Sequence, residues 1–198
     1  MDPLPLLQRV LTKPTPGDLL SLQTVVLSWE EKAASPLARE QAAAALALLG
    51  DFYAYLVGLE SKLEAHAFAE LASKMDMGAV GGVVIENVLS TGEKLLERIL
   101  VGGFSEALMV LASRQYVKAF NRDLDAFYQQ VAWQLRAHLW RFSAARRPGL
   151  TPSERAHLID SLFAPILDKE TRGDATPVVL GCLFQVLLIG CLSAMLSA

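Results

Sequence analysis

The run "TPVVLGCLFQVLLIGCLSAML", from Thr176 to Leu196, constrains this chain more than any other stretch. Between Val178 and Leu196 only Gln185 and Ser193 are polar. As a helix those residues span roughly 28 Å, close to the hydrocarbon thickness of a bilayer. Such a helix has no wet face, so it must be surrounded by lipid or by other helices.

Local chemistry favours protein surroundings. The Thr176-Pro177 opening repeats a pattern found three times elsewhere in the chain. No Trp or Tyr flanks the run to sit at headgroup level, and no basic residue follows it. Gln185 falls near the middle, where an amide in lipid goes unpaired but a bundle can satisfy it. Residues 177–197 are therefore read as the buried apolar C-terminal helix of an all-α protein. The alternatives are a tail-anchored membrane protein held through the same residues, and a subunit-interface or switchable helix.

The rest of the chain supports the helical reading. A hydroxyl residue followed by proline opens an apolar-periodic run at Thr15-Pro16, Ser35-Pro36, Thr151-Pro152 and Thr176-Pro177. The hydroxyl accepts from a free amide of the first turn, and proline at the first position forfeits an amide that would go unpaired anyway. "TPSE" adds Glu154 as a capping box, and "TPGD" a shorter version with Asp18. Helices are expected from about residues 16, 36, 152 and 177.

Two seams with alternating steps of three and four follow. One joins Leu48, Phe52, Tyr55, Leu59, Leu63 and His66; the other joins Phe120, Leu124, Phe127, Val131, Leu135, His138 and Phe142. Each predicts a long amphipathic helix of about forty residues, the first with a kink at Gly50-Asp51, and the two lie antiparallel. A shorter helix is expected in "GGVVIENVLSTGEKLLERILVGG". No pair of strand-like runs is joined by hairpin chemistry. The expectation is one all-α domain over 1–198, a bundle of six or seven helices.

An apolar content of 53% against 20% charged residues supplies enough to fill a core and leaves surplus for an interface, a cavity or a bilayer. The net charge of −3 gives no overall pull toward nucleic acid or anionic lipid. The N-terminus carries no export signal. Cys182 and Cys191, about 13 Å apart along one helix and on roughly opposite sides, do not bridge each other within it. These features point to a reducing, cytoplasmic setting.

Chemistry-bearing patterns are sparse. A di-iron bundle site needs two Glu-x-x-His motifs, and only Glu154 to His157 provides one, with Glu154 already used as a cap. His66 has Glu70 one turn on, but it and His138 read as seam histidines, with His157 in solvent. The cysteines sit in the apolar run, where a thiol is unreactive, and no Gly-x-Ser-x-Gly elbow occurs. "MGAVGG", Met77 to Gly82, lacks the lysine and hydroxyl of a phosphate loop and reads as a turn. No catalytic residue, metal site or cofactor is assigned.

Two weaker constellations remain. Arg136, Arg141, Arg146, Arg147 and Arg155 stand against Glu154 alone, with Trp133, Trp140 and Phe142 interleaved. This is a candidate basic contact patch for nucleic acid, anionic lipid or an acidic partner helix, although cations also gather at helix C-termini for dipole reasons. Tyr53, Tyr55 and His66 are candidate polar contacts in an inter-helix cavity. The leading expectation is a non-catalytic interaction or regulatory module that binds a protein partner or itself through apolar helix surfaces, with nucleic acid disfavoured as a partner. The alternative is a binder of an apolar small molecule.

Overall fold

The computed structural model describes residues 3–75, 123–168 and 175–198. Among these residues the chain is all-α, with seven helices and no strand. In chain order they are α1 (Leu4–Thr12), α2 (Pro16–Lys32), α3 (Pro36–Glu60), α4 (Ala65–Lys74), α5 (Asp123–Arg146), α6 (Pro152–Leu167) and α7 (Thr176–Leu196). The expected short helix between the glycines, the turn at Met77 to Gly82 and the seam residue Phe120 lie outside the described residues.

Three of the four hydroxyl-proline openings act as read. Thr15, Ser35 and Thr151 are extended N-caps whose side chains accept from the amides of Asp18, Ala38 and Glu154. At α6 the return bond is present too, with the Thr151 amide donating to Glu154 at 2.9 Å. Hydrogen bonds from the Thr151 hydroxyl and amide hold the Glu154 carboxyl below its ordinary pKa. The fourth opening differs. Thr176 already lies inside α7, and the cap is Ala175, in the αR region with no side-chain bond. Thr176 is buried at that helix entry, so its hydroxyl is not the solvent-facing cap the pattern suggests.

The first forty-residue run is two helices. α3 ends at Glu60, Ser61 to Glu64 turn the chain, and α4 begins at Ala65. Leu59 and Leu63 are both buried across this break, which is why the apolar spacing does not betray it. α3 runs unbroken through Gly50 and Asp51, with Gly50 on its exposed side. α4 also carries His66 out of the core: its side chain is 78% exposed and pairs with Glu64 at 3.3 Å.

α7 occupies the centre. It packs chiefly on α3, then on α5 and α4; α2 packs on α3, α6 on α5, and α1 on α2. All but a few of its residues are buried. α3 and α5 run antiparallel over it, Tyr55 and Gly58 of α3 meeting Phe127, and Asp51 meeting His138 and Gln134. Phe184 of α7 stacks on Phe52 at 5.0 Å and lies tilted against Tyr55 at 5.5 Å, so the three helices share one aromatic cluster. The Tyr55 hydroxyl donates to the carbonyl of Pro177 at 2.6 Å. Burial first, then Tyr128 and Cys182 nearby, push this phenol well above its ordinary pKa, so it stays a donor.

The expected buried partner of Gln185 exists. Its fully buried amide donates to the carbonyls of Val10 and Leu11 at 3.2 and 3.3 Å. These are end carbonyls of α1, and local sequence explains their need. Four residues after Val10 stands Pro14, which has no N–H. Four after Leu11 stands Thr15, already turned into the extended cap of α2. A side chain from the core helix thus caps α1 from 175 residues away.

Among the described residues two helices, α3 and α7, are long and apolar enough to cross a membrane, and 44% and 89% of their most apolar windows are buried within the protein.

Candidate functional site

Between the N-terminal half of α3 and the C-terminal third of α5 the two helices leave a cleft of about 330 Å³, floored by Leu187 and Cys191 of α7. Residue size explains the opening. The α3 wall is built from alanines such as Ala44 and Ala47, too short to reach Phe142 on the α5 wall. Farther along the same pair, the bulky Phe127 ring fills the space against Gly58, and the helices close.

The polar groups of the cleft come mainly from α5. His138, one turn before Phe142, lines it with a side chain only 9% exposed. Its Nε2 donates to the Asp51 carboxylate at 2.7 Å; Asp51 also accepts from Gln134 at 3.3 Å. The pair fixes the imidazole's tautomer and orientation, and Nδ1 has no hydrogen-bond partner among the described residues. Arg141 and Arg146 lie on the same wall, Arg146 with its guanidinium 5.8 Å from the centre of the Phe142 ring. Glu40 stands on the opposite lip.

Chemically the cleft holds no activated nucleophile. Burial pushes the Cys191 thiol up to about 11, even with Arg146 pulling the other way, and the Cys182 thiol up to about 12. No hydrogen bond joins Cys191 to His138 among the described residues. Nor, among those residues, do three or more His, Cys, Asp or Glu side chains converge as a metal site would need.

The structure divides the five-arginine patch. Arg136 pairs with Asp160 of α6 at 3.1 Å and lies over Phe163. Arg155 is only 8% exposed; it donates to the carbonyls of Arg147 and Leu150 and lies over Trp140. Both bolt α6 to α5. Arg141 and Arg146 stay together at the cleft, with Arg147 just past the helix end. The candidate cavity residues Tyr53, Tyr55 and His66 do not line the cleft. Tyr53 is half-buried, Tyr55 is enclosed against Pro177, and His66 is in solvent. His157 is exposed on α6, as expected.

A second surface is set by what α5 turns outward. Trp133 is 71% exposed and Trp140 38%, a heptad apart on one face with exposed Ala137 between them. An indole so bare is unusual in a soluble fold, where such rings are largely covered.

No family model, curated protein or solved structure matches this chain.

Proposed function

We propose that this chain is a non-catalytic helical interaction module of the cytoplasm, which associates with a second copy of itself through the outward face of α5. The observation that carries this reading is the bare Trp133, with Trp140 one heptad on. Tryptophan is a favoured anchor of protein interfaces, because one rigid side chain removes much apolar area from water. The pair is also self-complementary. A twofold axis crossing the helix between Arg136 and Ala137 sets Trp133 of each copy against Trp140 of the other, with the small Ala137 giving room for close approach.

The enclosure of α7 supports an internal role for residues 177–197 over a tail anchor. The two unpaired cysteines suit a reducing compartment. Sedimentation equilibrium over a wide concentration range tests the proposal. The parent chain should shift toward dimer as concentration rises, with the Trp emission moving to the blue, and Trp133→Glu should remain monomeric with an unchanged fold. A parent chain that stays monomeric to high concentration would remove the reading.

A further inference from the structure

We propose that the cleft between α3 and α5 is a binding site for a small free carboxylate carrying an apolar tail. The inference goes beyond the α5 self-association reading and can stand or fall apart from it. Three observations carry it. The cleft is concave and sized at the lower end of the ~300–1,000 Å³ typical of ligand pockets, at about 330 Å³. Its deep surfaces are apolar, from Leu48, Phe142 and Leu187, so they receive an alkyl or aryl tail and offer it no hydrogen bond. Its charged lining is unequal: Arg141 and Arg146 stand on one wall and Glu40 on the other.

That imbalance selects the ligand's head. Arg141 has no ion pair with any described residue, so its guanidinium is available for the bidentate geometry a carboxylate accepts. Arg146, packed on Phe142, is pre-positioned at the inner end. His138 adds a ring held rigid by Asp51, with Nδ1 unengaged among the described residues. An amine head would meet two cations, and a neutral head would leave Arg141 without a counter-charge. Glu40, on the other lip, disfavours a carboxylate lying toward α3 and so sets the head against α5.

The test is calorimetric titration of the full chain with octanoate, 1-octanol and octylamine, each below its aggregation limit. Octanoate should bind at least tenfold tighter than either of the others. Arg141→Gln should weaken octanoate severalfold, and the double variant with Arg146→Gln at least tenfold, while 1-octanol is unchanged. Ala47→Trp, made at an exposed site on the cleft wall, should abolish octanoate binding while thermal unfolding shows the fold intact. Equal binding of octanol and octanoate, preference for octylamine, insensitivity to the arginine variants, tighter binding of a glutamate-rich peptide, or no binding at all would each overturn the proposal. If Trp133→Glu dissociates the dimer and still binds octanoate, the two surfaces are separate, as proposed.

Discussion

Replacing Gln185 by leucine tests how the core helix holds the N-terminus. The substitution is close to volume-conserving, so cavity and strain contributions are small. What it removes is the Nε2 donor shared by the carbonyls of Val10 and Leu11. Val10 is fully buried and Leu11 nearly so, so water does not readily replace the lost donor. Each stranded acceptor costs about 1–2 kcal/mol. Against this, Gln185 Oε1 is buried with no partner among the described residues, and its departure returns about 1–2 kcal/mol of desolvation. Two acceptors lost against one orphan relieved leave a net expected loss of about 1–2 kcal/mol. Urea unfolding followed by circular dichroism measures it, and amide exchange localises it, since α1 should open first. Gln185→Glu sharpens the test. Burial raises the folded-state pKa of the new carboxyl above the unfolded value of about 4.3. The protonated acid can still donate to a carbonyl, so its contribution is fully present below that pH and is lost as pH rises through the folded pKa. Near neutrality this variant should be the less stable of the two, and in acid it should recover toward the parent. A Gln185→Leu protein within about 0.5 kcal/mol of the parent, with α1 exchange unaltered, would refute the capping argument.

Gly58→Ala should cost about 1–3 kcal/mol, because the added Cβ would lie 2.7 Å from Phe127 Cε2 in the closed part of the α3–α5 seam. The matched change Gly50→Ala meets nothing within 4 Å and should stabilise by up to about 1 kcal/mol through helix propensity; thermal melts of the two should shift in opposite directions. With thiols raised to about 12 and about 11, Cys182 and Cys191 should resist iodoacetamide at mildly alkaline pH in the folded protein and both react in urea; fast labelling of Cys191 in the native state would contradict its burial. Arg155→Met should lose about 2–4 kcal/mol by freeing the carbonyls of Arg147 and Leu150 and uncovering Trp140, whereas Arg141→Gln should change unfolding by less than about 0.5 kcal/mol.

Much of the architecture was legible because its signals are local. Thr15, Ser35 and Thr151 act within four residues of themselves, so their meaning does not depend on the remainder of the fold. The burial of α7 was legible for a different reason: a helix apolar all round leaves few choices. The break after Glu60 was hidden, since no glycine or proline marks Ser61 to Glu64 and the seam leucines are buried on both sides of it. Thr176 misled because the same dipeptide serves as a cap in solvent and as an entry residue in a core. The cleft was illegible. It depends on alanines of α3 facing Phe142, nearly a hundred residues on, and the Asp51–His138 pair bridges 87 residues. Asp51 read as part of a kink, and nothing in its neighbourhood announced its partner. Arg155 read as surface charge, because a linear count of cations does not distinguish a clip between helices from a contact patch.

A rod that is oily on every side carries no information about its own rotation. Turned about its axis, α7 would bury nearly the same area at any angle, so dispersion and water exclusion alone leave its phase undetermined. Beside the Phe184 stack, three features break that degeneracy: the Pro177 carbonyl facing Tyr55, the notch at Gly181 filled by Met75, and the amide of Gln185. Spaced by four residues, they fall within an arc of about 80° and act as keys in one slot. Leucine–isoleucine exchanges around the remaining circumference should therefore each cost less than about 1.5 kcal/mol. Blunting two keys together should leave the helix content intact while near-ultraviolet dichroism fades, the signature of a spindle that turns in its socket.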